Sequence, residues 1–359
     1  MAKRKRKLLL NESTPKPALS NFEILKRVAL GGLFIGLVVA CDRTLGFLLG
    51  VSQQTLHVYE KDSGNINQAL KADADAYILG SSRAKYHYDP KILGQATGLR
   101  FFNAGADGQD IFYFYMLTDL LEQRHKPKLY VVNLSYSDFL SSYWRYKRLP
   151  VFAPYMRQSS VVADLLIRGD FRRNLLFKSC QTYAFNSRLH LFPLNILQQD
   201  TSPPDGFRPL KGAAFQMGKQ YNLMQRFDNY ELTEFVNFLN HCKRQHIRVV
   251  FGVSPEYRDP SDFTMGPDEY YFLRGIRQLA KVFHIPLVEL TEFSDDFYKN
   301  KTVFNDPQHL NAAGAEFFSQ QFAKYLAQAL ALRSDAALEA SPYYPELEEK
   351  DYPIAMNFN

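Results

Sequence analysis

Three side chains in this sequence have the types and the order of an acyl-transfer site. Ser82 lies in Tyr77-Ile78-Leu79-Gly80-Ser81-Ser82-Arg83, an apolar run broken by a Gly-Ser-Ser turn. Asp306 and His309 lie near the other end, in Asn305-Asp306-Pro307-Gln308-His309-Leu310-Asn311. A serine hydroxyl is a weak nucleophile until a base takes its proton, and an imidazole does so best when a carboxylate holds its other ring nitrogen. A serine where a strand meets a helix start is exposed, and the free N–H groups of that helix favour negative charge nearby. The three-residue separation lets the carboxylate of Asp306 fold back onto the ring across a turn, which Pro307 stiffens by fixing one dihedral. Singly, each part has an ordinary explanation, with Ser81 and Ser82 as helix caps and Asp306 as a surface N-cap. Together they point to chemistry that only the fold can assemble.

The elements that must do the assembling alternate. Ala76–Gly80, Arg100–Gly105, Lys128–Ser135, Arg248–Val253 and Pro286–Leu290 read as short apolar strands. Ile111–His125, Glu231–His246, Glu269–His284 and Ala312–Leu332 carry apolar residues at helical spacing. Asn311 fits the N-cap of the last helix, and Gly314 permits close packing there. Strand-helix alternation implies a parallel sheet covered on both faces, with a site at the carboxyl ends of the strands. Residues 139–229 break the rhythm with a Tyr-, Phe-, Arg- and Pro-rich stretch. It reads as a mostly helical insertion with loops over the site, suited either to binding a sugar or anionic polymer or to plain packing of a cap.

The order Gly-x-Ser, Asn103-x-Gly105 and Asp-x-x-His resembles the SGNH/GDSL esterase and acyltransferase superfamily, over roughly residues 75 to 330 apart from the insertion. The Gly-Ser-Ser-Arg form is similar to its membrane-anchored branch, which includes relatives of the D-alanyl transfer protein of teichoic acid synthesis and of alginate-type O-acetyltransferases. The resemblance implies an α/β fold, a flavodoxin-like three-layer α/β/α sandwich around a central parallel sheet. It implies Ser82, not Ser81, as nucleophile, with His309 as base and Asp306 as its orienting acid. It also implies an oxyanion hole built from the N–H groups of Ser82 and Gly105 and a third donor. For that donor the family has Gly-x-Asn-Asp after the third strand, whereas this chain has Asn133-Leu134-Ser135-Tyr136-Ser137-Asp138. Ser137 then stands in the place of the Asn, and Asn133 belongs to the strand. Arg83 is expected either to bind a substrate carboxylate or phosphate or to order the turn through a salt bridge.

The implied activity is removal or transfer of an O-linked acyl group, acetyl above all, on a cell-envelope polysaccharide. Transfer would require a polytopic membrane partner to deliver acyl groups. The altered segment around Ser137 leaves open a different class, a non-catalytic glycan-binding or assembly subunit on a degenerate fold. No metal motif or phosphate loop is present, so neither a metal nor another cofactor is expected.

Composition bounds these readings. The chain has 359 residues, of which 46% are hydrophobic, enough for one large domain with a substantial core. Its net charge of +6 resides wholly in residues 1–27, where eight Lys and Arg face two Glu. That basic segment reads as a cytoplasmic tail rather than a nucleic-acid footprint, and no nucleic-acid partner is expected. Residues 28–50 follow as a single-pass signal anchor, with Asp42 and Arg43 snorkelling at the outer interface of the bilayer. Val38-Val39-Ala40-Cys41 also fits a lipoprotein cleavage site, with Cys41 lipidated. Either way the catalytic domain is expected on the extracytoplasmic side. Residues 51–75 read as a stalk, 76–333 as the catalytic domain and 334–359 as an acidic, Pro-rich, extended tail. Cys180 and Cys242 read as buried thiols, or as a disulfide after export.

Overall fold

The computed structural model describes residues 20–57, 63–140, 143–186, 189–199, 203–212, 215, 229–259, 267–291 and 295–331. The basic tail up to residue 19, the middle of the stalk and the acidic tail lie outside the described residues.

The chain begins with α1 (Asn21–Gln53) and α2 (Ser63–Lys71), then β1 (Ala76–Leu79), α3 (Ser82–His87) and α4 (Pro90–Thr97). β2 (Phe101–Asn103), α5 (Ile111–Glu122) and β3 (Leu129–Asn133) follow. The insertion contributes α6 (Tyr143–Arg148), α7 (Ser160–Gly169), α8 (Phe171–Ser179) and α9 (Leu191–Leu197). The sheet resumes with α10 (Asn229–Gln245), β4 (Arg248–Val253), α11 (Pro267–Phe283) and β5 (Leu287–Glu289). A short antiparallel hairpin of β6 (Phe304–Asp306) and β7 (His309–Leu310) leads into α12 (Ala312–Ala331).

Five strands form one parallel sheet in the order β2-β1-β3-β4-β5. Every residue of β1 and β3 is buried, as continuous apolar runs require when both faces are covered. Alternate residues supply two cores. Tyr77, Leu79, Tyr130, Val132 and Phe251 point into the layer of α2, α5, α10 and α11. Ala76, Ile78, Leu129, Val131 and Val250 point into the layer of α3, α4 and α12. The order 2-1-3-4-5 is the flavodoxin-like order, and its chain direction switches between β1 and β3. A crevice opens at such a switch because the connections leave the two strands for opposite faces.

The strands and long helices match the expected positions to within a few residues. α3 is the helix whose start the Gly-Ser-Ser turn implies, whereas α4 gives no signal because it is too brief to display a period. The described part of the insertion is mostly helical up to Leu197, and those helices do not line the cavity at the site. Residues 203–212 and 215 are irregular and run beside the site: the Ala312 N–H donates to the Leu210 carbonyl at 2.9 Å, a Cβ on Gly212 would strike Asn305, and the Phe215 ring meets Tyr257. α7 packs against α5, and the turn at Thr182–Phe185 packs against α1. Almost all of α5 is therefore buried.

α1 begins at Asn21, with Ser20 Oγ accepting the N–H of Glu23, so residues 21–27 are helical rather than part of an irregular tail. α1 is long and apolar enough to cross a membrane. Its 33 residues span about 50 Å at 1.5 Å each, against roughly 30 Å of hydrocarbon. Its C-terminal end packs against the insertion. Asp42 does not snorkel: its carboxylate accepts the N–H groups of Gln181 (2.9 Å) and Thr182 (3.0 Å), the Thr182 hydroxyl (2.7 Å) and the Cys180 thiol (3.0 Å). Arg43 donates to the carbonyl of Ser179. The three cysteines are free, with Cys242 buried, so the disulfide alternative does not hold. The charge of the remainder is also uneven, because residues 143–199 hold nine Lys and Arg against two Asp.

Candidate active site

β1 ends at Leu79, and the chain turns at Gly80, whose φ of 138° suits glycine. A Cβ there would stand 2.8 Å from the carbonyl oxygen of Asn133. Ser81 caps α3 in extended backbone without a side-chain hydrogen bond, and Ser82 opens the helix. The Ser82 N–H thus has no acceptor within the helix.

The β6–β7 hairpin brings the other two groups to this point. Ser82 Oγ lies 2.7 Å from His309 Nε2. His309 Nδ1 lies 2.9 and 3.0 Å from the two carboxylate oxygens of Asp306. Asp306 Oδ1 also accepts the N–H groups of Gln308 (2.9 Å) and His309 (3.1 Å), and Asn305 Nδ2 donates to Oδ2 at 3.2 Å. Burial pushes the Asp306 carboxyl up, but the hydrogen bond and charge of His309 and the donors Gln308 and Asn305 outweigh it. The carboxyl therefore sits below its ordinary value and stays ionised at neutral pH. The hairpin is fixed from outside: the Tyr257 N–H donates to the carbonyl of Pro307 at 2.8 Å. Asn311 Oδ1 accepts the N–H of Gly314, and a Cβ on Gly314 would strike the Val303 carbonyl.

The hydroxyl faces a cavity of about 320 Å³. Ser137, Ser254, Glu256, Thr291 and Gln308 contribute its polar lining, and Phe272 and Leu273 one apolar wall. Residues following β1, β3, β4 and β5 meet here, at the carboxyl edge of the sheet and across its switch point.

The expected oxyanion donors divide. Ser137 lines the cavity beside Ser82. Its Oγ is 3.0 Å from Ser135 Oγ, whose own proton goes to Asp138 Oδ2 at 2.7 Å, so the Ser137 proton rests on Ser135. Gly105 is a correction. Its N–H donates to Asn103 Oδ1 at 3.0 Å, and it does not line the cavity. Its lack of a Cβ serves packing, since a Cβ would stand 2.4 Å from the backbone nitrogen of Lys85. Asn133 ends β3, buried, and accepts the Tyr88 hydroxyl at 2.8 Å.

Arg83 lines the cavity beside Ser82. It is buried and paired with Glu256 at 2.6 Å, the turn-ordering alternative. Sequence reading missed Glu256 and Ser254. Both follow β4, and the rule that parallel sheets bind ligands beyond their carboxyl ends was the signal available for them.

It also missed His87, which no pattern marked. His87 is fully buried, and its Nε2 accepts the N–H of Leu310 at 3.0 Å, next to His309. Burial, with the charges of His309 and Arg83, holds its pKa well below the usual imidazole value. A neutral His87 therefore supports the hairpin, and acid opposes it. Below about pH 6.5 the unfolded chain takes up a proton that the folded chain refuses, so stability falls as pH falls, by about 1.4 kcal/mol per pH unit for this one site. Denaturant titrations between pH 7.5 and 5.5 should show this loss, and His87→Gln should make the slope shallower. His241, whose pKa is raised by Glu122, works in the opposite direction in both proteins and cancels in the comparison.

No family model matches the sequence, and no curated protein matches it. Among solved structures the chain is similar to a candidate acylhydrolase from Bacteroides fragilis, with 11% identity over 72% of this chain and 89% of that one and a TM-score of 0.36. It is similar also to a gut microbial diltiazem-metabolizing enzyme, with 14% identity over 69% of this chain and 46% of that one, again at a TM-score of 0.36. At this level neither likeness carries an activity across to the present chain.

Proposed function

We propose that this chain is a membrane-anchored serine esterase or O-acyltransferase of the SGNH type. In this reading its domain lies on the extracytoplasmic side and acts on O-acyl groups, acetyl above all, of an envelope polysaccharide. The observation that carries the proposal is the unbroken hydrogen-bond chain from Ser82 Oγ through the His309 ring to Asp306. Ser82 Oγ attacks the acyl carbonyl as His309 Nε2 takes its proton. The tetrahedral oxyanion is met by the Ser82 N–H and by the Ser137 hydroxyl, which turns from Ser135 to reach it. His309 then returns the proton to the departing alkoxide and leaves an acyl-Ser82 ester. Water resolves this ester by hydrolysis, and a sugar hydroxyl resolves it by transfer, in each case giving its proton to His309. Asp306 stabilises the imidazolium throughout. The polar lining suits a hydroxylated acceptor. A transferase would draw its acyl groups from a polytopic membrane partner.

A binding-subunit reading has one observation in its favour: the Gly105 N–H is already engaged, which leaves the oxyanion fewer donors. The two readings separate on covalent labelling. A fluorophosphonate probe should label the protein once, and peptide mapping should find the adduct on Ser82. An adduct on another serine would overturn the site, and the absence of any adduct would favour the binding subunit.

A further inference from the structure

The insertion leaves large apolar side chains uncovered on the side from which α1 emerges. Phe171, Leu175 and Leu176 of α8 are 63%, 46% and 50% exposed, and Ile196 and Leu197 of α9 are 84% and 80% exposed. Both helices are tied to α1 and the turn after it. Arg43 donates to the carbonyl of Ser179, the last residue of α8. Asn195 of α9 accepts the His57 N–H at 2.7 Å and donates to the Thr55 carbonyl at 3.2 Å. Leu49 of α1 and Phe177 and Phe192 from the same two helices pack against one small cluster of Ala153, Ala184 and Phe185. α1 itself exposes Leu45, Phe47, Leu48 and Val51. The uncovered side chains of the insertion therefore flank the uncovered side chains of the anchor.

The charge of this region is one-sided. Residues 143–199 hold nine basic and two acidic residues, and Arg157, Arg172 and Lys178 are exposed. Exposed apolar residues interleaved with basic ones mark a surface that lies in the interface of an anionic bilayer. Between α1 and the insertion runs a cleft of about 320 Å³, lined by Phe47, Val51, Phe177 and Phe185 together with Arg43 and Arg157. Apolar walls with guanidinium groups match the acyl chain and phosphate of a phospholipid. A soluble acidic polymer would account for the arginines but not for Ile196 and Leu197.

We infer that α8 and α9 form a second membrane contact, an interfacial shelf that dips into the leaflet beside α1 and prefers anionic phospholipid. The domain is then held at two places rather than one, so its orientation on the membrane is fixed. This inference rests on α1 as the anchor and is independent of the triad.

The test uses the full chain reconstituted in vesicles that contain brominated lipids, with Trp144→Phe removing the single native tryptophan. Leu37→Trp reports the anchor, Leu175→Trp and Ile196→Trp report the shelf, and Glu316→Trp on α12 reports the opposite layer of the sheet. Both shelf reporters should lose most of their emission, as the anchor reporter does, while Glu316→Trp keeps its emission. With phosphatidylglycerol present, adding Arg172→Glu and Lys178→Glu should weaken shelf quenching. Quenching of Leu37→Trp alone would overturn the shelf and leave the anchor. Quenching of no reporter would overturn both. Equal quenching at Glu316→Trp would reveal unspecific adsorption and overturn the shelf. A shelf signal that bromine leaves unchanged but that responds to a soluble polyanion or to protein concentration would assign the face to a polymer or a second copy, and would likewise overturn it.

Discussion

Ser82→Ala is expected to lower kcat/KM for an activated ester such as p-nitrophenyl acetate by at least about 10⁴, equivalent to roughly 5.5 kcal/mol of transition-state stabilisation. The methyl group cannot accept an acyl carbon, and His309 Nε2 loses the hydroxyl that now lies 2.7 Å away. His309→Ala should cost about as much, and the double variant no more than either single one, because nucleophile and base act as one unit. Ser81→Ala is the control. Ser81 neighbours the cavity but makes no capping hydrogen bond through its side chain, so its loss should cost less than about tenfold. Steady-state release of p-nitrophenol, with thermal unfolding to show that each variant folds, checks the set. Equal rates for wild type and Ser82→Ala would end the enzymatic reading.

Asp306→Asn is expected to lower kcat by about 10³ to 10⁴ while leaving the fold in place. The hydrogen bonds around Asp306 determine which way the new amide must face. Two backbone N–H groups, those of Gln308 and His309, donate to Oδ1, so the amide oxygen takes that position. The NH₂ group then takes the place of Oδ2, facing His309 Nδ1. That donor favours the tautomer with the proton on Nε2, which points an N–H at Ser82 instead of a lone pair, while the tautomer with the proton on Nδ1 keeps only the neutral amide oxygen at 2.9 Å. The base is weakened, and the imidazolium loses its counter-charge, without loss of the histidine. The NH₂ group would also confront Asn305 Nδ2, which now donates to Oδ2. Asp306→Glu keeps the charge but misplaces it, and should fall between wild type and Asn. Pre-steady-state measurement should show the acyl-enzyme burst slowed in Asp306→Asn. An unslowed burst would remove Asp306 from the chemistry.

What the sequence determined alone was local. Apolar runs bounded by turns gave the strands, helical spacing gave the long helices, and two short motifs supplied the three groups of the proposed triad. The long apolar stretch after a basic segment gave the candidate span. These features depend on residues adjacent in the chain, so they can be read in one dimension. The tertiary structure decided what depends on contact between distant segments. It brought the Asp306 hairpin to Ser82 through the order of five strands, which fixes the crevice between β1 and β3. It turned the Gly105 N–H to Asn103, paired Arg83 with Glu256, and set His87 beneath the backbone of Leu310. It packed the helices of the insertion onto α5 and α1, away from the cavity, and laid Leu210, Gly212 and Phe215 alongside the hairpin that carries Asp306. A donor's partner and a charge's neighbour are properties of packing, and residue type alone carries no record of which segment will arrive beside it.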